Sequence, residues 1–156
     1  MYKIENMGID NYSELFIECN DLQNGDIFPI KYTHRGGDVS PEFKLKNLNK
    51  NGKSIIIIFD DLDKPMNHWI IWNLPVMEII PENIPKENVL VNLGHAKQKR
   101  QYKGPNPPKG IRHKYQFNIY VLDCDLNIEI NVDKKQLLKA MEEHIIQYGF
   151  IYGYYE

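Results

Sequence analysis

Five consecutive bulky apolar residues, Ile55-Ile56-Ile57-Ile58-Phe59, constrain this chain more than any other feature. Isoleucine is branched at Cβ and stiff about χ1, which favours extended backbone. A strand with one wet face alternates apolar and polar side chains, and this run does not alternate. Ser54 to Phe59 is therefore expected to be a central strand covered on both faces. The run is far too short to span a bilayer as a helix.

The rest reads as mostly β. Trp69 to Leu74 predicts the next strand, stopped by Pro75. Tyr115, Phe117, Ile119 and Val121 alternate with Gln116, Asn118 and Tyr120, as in a strand with one core face. Ile128, Ile130 and Val132 alternate likewise and predict another strand. Leu15 to Asn20 predicts a short strand. After the turn Asn24-Gly25-Asp26, Ile27-Phe28-Pro29 continues into Lys31-Tyr32-Thr33 until Arg35-Gly36-Gly37-Asp38 breaks the chain. Phe43, Leu45 and Leu48 fall on an irregular or edge segment. Between Pro75 and the next strand lies a long irregular region containing Pro81, Pro85, Pro105, Pro107 and Pro108. Loops of that length usually carry function or move. One helix is clear. Asp133 and Gln136 form a capping-box pattern, and Leu137, Leu138, Met141 and Ile145 form an apolar stripe, with Gly149 as the C-cap. Phe150 to Tyr155 reads as a last strand or as a tyrosine-rich segment closing over the domain. No repeat or linker divides the chain, so one mainly β domain over residues 1–156 is expected.

Composition narrows the function classes. Hydrophobic residues make up 42% and charged residues 26%, ordinary values for a globular protein. A formal charge of −2 argues against a dedicated nucleic-acid binder, whose footprint is strongly basic. The one basic run, Lys97-Gln98-Lys99-Arg100, reads as a solvated loop. Cys19 and Cys124 lack the number for a disulfide scaffold and the spacing of zinc ligands, which fits reduced thiols and a cytoplasmic protein. The polar N-terminus, Met1-Tyr2-Lys3-Ile4-Glu5-Asn6, shows no targeting signal.

Two stretches carry chemistry. Asp60-Asp61-Leu62-Asp63-Lys64-Pro65-Met66-Asn67-His68-Trp69 and Gly104-Pro105-Asn106-Pro107-Pro108-Lys109-Gly110-Ile111-Arg112-His113-Lys114-Tyr115 each join a turn-rich loop to strand-like residues, with a histidine at the junction. Together they would line one pocket with two histidines, a carboxylate, a tyrosine and loop amides, a set suited to phosphate. The spacing of two puts His113 and Tyr115 on one face of a strand. Asp61 is a poor direct contact for an anion. It makes sense as the acceptor that holds one histidine nitrogen while the other faces the ligand. Prolines have no N–H, so Pro107 contributes shape.

These motifs resemble those of the phosphatidylethanolamine-binding proteins, specifically the bacterial branch called Raf-kinase-inhibitor-like proteins. Gly25-Asp26-Ile27-Phe28-Pro29 with Gly37-Asp38-Val39-Ser40-Pro41 resembles the N-terminal segment of the family. Asp61-Leu62-Asp63-Lys64-Pro65 resembles its D-P-D-A-P motif. His68-Trp69-Ile70-Ile71-Trp72-Asn73-Leu74-Pro75 resembles H-W-V-V-x-N-I-P. Gly104 to Gly110 with His113-Lys114-Tyr115 resembles G-P-x-P-P-x-G … H-R-Y. His144 and Gly153 also sit at the family's C-terminal spacing.

The resemblance implies a β-sandwich with a helix near the C-terminus and an anion pocket formed by Asp61, His68, Pro107, His113 and Tyr115. It implies a phosphate-bearing small molecule or phospholipid headgroup as ligand, a regulated protein partner, no cofactor and no transmembrane segment, and it leaves a homodimer open. Four positions depart from the family pattern: Leu62 for proline, Lys64 for alanine, Asn106 where many bacterial members have cysteine, and Lys114 for arginine. The favoured expectation is a binding module without turnover. The alternatives are a metal-dependent phosphoester hydrolase using Asp60, Asp61, Asp63 and a histidine, and an inhibitor of a protease or kinase acting through its surface. No nucleophile motif, phosphate loop or dinucleotide motif occurs.

Overall fold

The isoleucine run lies where two hydrophobic layers meet. Strand β5 (Ser54–Asp61) is buried along its whole length. Ile55, Ile57 and Phe59 pack into one core, and Ile56 and Ile58 into another. In the computed structural model, which describes residues 11–156, β5 runs antiparallel between β6 (Met66–Leu74) and β10 (His113–Leu122). Beyond β10 lies β11 (Ile145–Tyr155), and beyond β6 lie β9 (Ala96–Arg100) and β8 (Val89–Leu90). Two short strands, β1 (Ser13–Glu14) and β3 (Asp26–Ile27), pair parallel to β11. A second sheet is formed by β2 (Ile17–Glu18), β4 (Phe43–Leu45) and β7 (Ile79–Ile80). Phe43, Leu45 and Ile80 from this sheet meet Ile55, Ile57, Phe59, Phe117 and Ile119 in the core between the two. The fold is the expected β-sandwich, with helix α1 (Lys134–Met141) near the C-terminus.

The helix covers the outer face of the large sheet. Asp133 and Gln136 form the predicted capping box, each side chain bonded to the other's backbone amide. Leu137, Leu138 and Met141 pack on Ile56, Ile58, Ile70, Trp72, Tyr120 and Leu122. Strand β10 is consequently buried on both faces along most of its length, not on one. Among the described residues, no helix is long and apolar enough to cross a membrane.

Several local expectations are overturned. The helix ends at Met141, so Ile145 opens β11 and Gly149 lies inside that strand opposite Ile119. Gly149 is required by packing, since a Cβ there would stand 2.3 Å from the Leu15 carbonyl oxygen. Ile128, Ile130 and Val132 form no strand. Both neighbouring positions beside β10 are taken by β5 and β11, and these side chains instead pack irregularly against the helix-side core. Residues 97–100 are not a solvated loop. They belong to β9, where Ala96 and Gln98 turn inward and leave the cations outside. The irregular region also contains β7 and β8. Ile30–Tyr32 is a short 3-10 turn, not a continuation of the strand before it. Of Leu15 to Asn20 only Ile17–Glu18 is strand, in the second sheet, while β1 precedes the segment and joins the first.

The completely buried Ile57 and the helix cap should differ in cost. Ile57→Ala is expected to destabilise the fold by roughly 2–5 kcal/mol and Asp133→Ala by about 1 kcal/mol, as read from urea unfolding.

Candidate functional site

The site forms where β10 begins beside the end of β5. Tyr115 pairs directly with Asp61 across the two strands. His113 lies two residues earlier, on the same face. Its Nδ1 is 2.7 Å from Asp61 Oδ2. Asp61 Oδ1 accepts the backbone amides of Asp63 at 2.8 Å and Lys64 at 3.0 Å. Both carboxylate oxygens are thus engaged, and the side chain is only 3% exposed against 12% for His113. Asp61 holds a proton on His113 Nδ1, leaving Nε2 for a ligand. Asp63 reaches beyond its own loop, because its Oδ2 accepts the Lys114 amide at 2.7 Å and ties the turn to β10.

His68 arrives by a different route. The β5–β6 register shifts between Phe59 and Asp60, so β6 carries one extra residue there. This bulge places His68 and Trp69, consecutive in sequence, on the same core. The His68 ring meets Tyr115 edge-on, centroids 5.4 Å apart, and Phe59 at 5.8 Å. Its Nδ1 is 2.8 Å from the Lys103 carbonyl oxygen, and the Lys103 amide donates to the His68 carbonyl at 2.9 Å. A carbonyl only accepts, so Nδ1 carries the proton and Nε2 keeps a lone pair. Burial outweighs that hydrogen bond and the nearby Asp61 charge, and pushes the His68 pKa down. His68 is a neutral acceptor at neutral pH. Burial, with the Asp61 charge second, raises the Tyr115 hydroxyl, which stays protonated.

The proline-rich loop is strapped over this cluster from the Thr33–Asp38 turn. Asp38 adopts φ 55° and accepts the Gly104 amide at 2.6 Å. The His34 amide donates to the Pro105 carbonyl at 3.0 Å. Gly104 leaves no room for a side chain, since a Cβ would lie 2.1 Å from the Tyr32 carbonyl oxygen. Arg35 donates to the carbonyls of Pro107 and Glu156 and lies over the Tyr155 ring, which pairs with His113. Its charge is felt at the Tyr115 hydroxyl, and so is the Asn106 backbone amide. Buried Pro107 therefore supplies shape and one carbonyl anchor.

Sequence reasoning missed Arg35, Asp38 and the Lys103 carbonyl. The available signal was the Gly36-Gly37-Asp38 turn, whose aspartate tolerates the left-handed region better than most residues. Its contact with residue 104 is set only by the fold.

The carboxylates proposed for a metal-dependent hydrolase do not converge. Asp60 faces α1, bonded to Asn67 and 3.6 Å from Lys134 Nζ, while Asp61 and Asp63 hold His113 and the Lys114 amide. Among the described residues, the group of His, Cys, Asp and Glu close enough to share a metal is Asp123, Cys124 and His144, beyond the far end of β10.

The lowered pKa of His68 gives a sign for stability. The folded state holds His68 neutral, so its contribution is complete above the ordinary histidine value of about 6.5 and is lost as pH falls toward the lowered folded value. Between about pH 7.5 and 5.5, Tm is expected to drop more in the parent than in His68→Gln, measured by thermal unfolding across the series.

Comparisons with known proteins identify the family and the fold. The family model "Phosphatidylethanolamine-binding protein" matches residues 19–156. A UPF0098 protein of Pyrococcus horikoshii is 44% identical over 143 residues, covering 85% of this chain and 72% of the relative. The crystal structure of a putative phosphatidylethanolamine-binding protein homolog from Chlamydia trachomatis superposes with a TM-score of 0.79 at 30% identity, covering 92% of this chain and 98% of that one. Escherichia coli YbcL shares the fold at a TM-score of 0.79 and 20% identity, covering 92% and 99% of the two chains. Relatives thus occur in archaea as well as bacteria. The chain belongs to the phosphatidylethanolamine-binding protein family.

Proposed function

We propose that this protein binds a phosphate-bearing anion, either a small phosphorylated molecule or a lipid headgroup, and carries out no chemistry on it. The observation that carries this reading is the convergence of His113, His68 and Tyr115 beside Asp61, with Arg35 at the same site. Each group has a distinct part. His113, oriented by Asp61, becomes a charged donor through Nε2 when protonated. Tyr115 offers a hydroxyl. Arg35 supplies a permanent positive charge that neutral His68 cannot. His68 Nε2 accepts a hydrogen bond, so the complementary ligand combines anionic oxygens with a donor, either a P–OH or an ammonium N–H. A phosphoethanolamine group has both. By holding such a group on another molecule, the protein would regulate that partner.

Binding is read by calorimetry with inorganic phosphate and phosphoethanolamine at a fixed pH near 6.5. A charge-assisted hydrogen bond contributes about 1.5–3 kcal/mol, so His113→Gln should weaken affinity by roughly tenfold or more. His68→Gln should weaken phosphoethanolamine. Unchanged affinity in both variants would remove the site.

The binding-only reading makes a second prediction. Phosphomonoesters and phosphodiesters should survive incubation with the purified protein and Mg²⁺, Mn²⁺ or Zn²⁺. His113 and Asp61 form a paired base and carboxylate, and the hydroxyl that meets Asp61 is the Tyr115 phenol, which burial and the Asp61 charge keep protonated and poorly nucleophilic. Metal-dependent hydrolysis that disappears in Asp61→Asn would favour an enzyme instead.

A further inference from the structure

We infer that Asp123, Cys124 and His144 form a binding site for one divalent transition-metal ion, zinc above all, separate from the anion site. Their donor atoms lie within 4.8 Å of one another. A tetrahedral zinc site with these ligand types has edges of about 3.3–3.6 Å, so binding would need the donors to draw together by only about an ångström. The mixed oxygen, sulfur and nitrogen set suits zinc and disfavours magnesium or calcium, which take oxygen ligands. Three protein ligands leave a fourth position for water.

The backbone already holds all three residues. The Asp123 amide donates to the His144 carbonyl at 3.0 Å, and the His144 amide donates to the Met141 carbonyl at 2.9 Å. Ser54 Oγ donates to the Cys124 carbonyl at 2.7 Å. Asp123 Oδ1 and His144 Nδ1 are 2.8 Å apart, and both side chains are accessible, at 46% and 42% exposed. Cys124 stands between Asp123 and Asp125 in sequence, and a cation bound by its sulfur would offset their negative charge. The ten-residue length of β10 separates this cluster from His113 by about 30 Å, so neither site contributes to the other. Asp123 and Cys124 follow β10 and His144 precedes β11, so a bound ion would clip the two ends of that connection.

The test uses the purified full chain, zinc competition against a chromophoric chelator, and Co²⁺ as a spectroscopic stand-in. The expected result is one ion per chain with a Kd of roughly 1 μM or tighter, a thiolate-to-cobalt charge-transfer band, and a Tm that rises with zinc. Cys124→Ser keeps the Asp123–His144 contact, so its metal-free Tm should match the parent, while the band disappears and zinc affinity falls at least about tenfold. His144→Gln should also weaken zinc. His113→Gln should leave it unchanged. Absence of saturable binding, a thiolate band that persists in Cys124→Ser, or loss of zinc in His113→Gln but not in Cys124→Ser would overturn the inference.

Discussion

Everything at the site depends on the pairing of β5 with β10. Eight residue pairs, from Tyr115 with Asp61 to Leu122 with Ser54, run without a register shift. A slip of one residue would send Tyr115 and His113 to the helix side and expose the apolar set of β10 to the wrong layer. The register is held by burial on both faces. Phe117, Ile119 and Val121 fill the core between the sheets, and Tyr120 and Leu122 fill the core under α1. The hydrophobic term that stabilises the fold therefore also sets the distance between Asp61 and His113.

That pairing separates two adjacent aspartates. Asp60 and Asp61 are both buried, but they point to opposite faces of the sheet and serve unrelated structures. Asp60 joins a polar layer beneath the start of α1. In that layer Asn67 donates to it, Gln116 donates to Asn118 at 2.9 Å, and Tyr148 donates to Asn118 at 2.6 Å. Burial lowers the Lys134 pKa, while Asp60 pulls it back up. A run of aspartates that looks like a metal cluster in one dimension is divided by the alternation of a single strand.

Charge at the site is divided in the same way. The buried histidine is neutral, the shallower one is paired with a carboxylate, and the lasting positive charge comes from an arginine in a remote turn. Arg35 binds carbonyls of the proline-rich loop and the C-terminal residue, so it shapes the site as well as charging it. Asp38 anchors the same loop through Gly104. A pocket wall rich in prolines lacks amides to hold itself, and neighbouring turns provide the missing contacts.

Elements whose pattern is local could be read from the residues alone. The isoleucine run required a strand covered twice, the Asp133–Gln136 spacing specified a helix start, and the two-residue spacing of His113 and Tyr115 placed both on one face. The quoted motifs were also sufficient to indicate the family. Features that depend on contacts distant in sequence emerged only in the folded chain. His68 turns inward because of a bulge that strand periodicity cannot reveal. Gly149 is a glycine because Leu15 passes over it, and it caps no helix. The basic run at 97–100 is a strand because β6 offers it an edge, and Arg35 joins the site because the loop comes to meet it. Periodicity and turn chemistry act within a few residues. Registers, bulges and close approaches are settled only when separate segments compete for the same buried space.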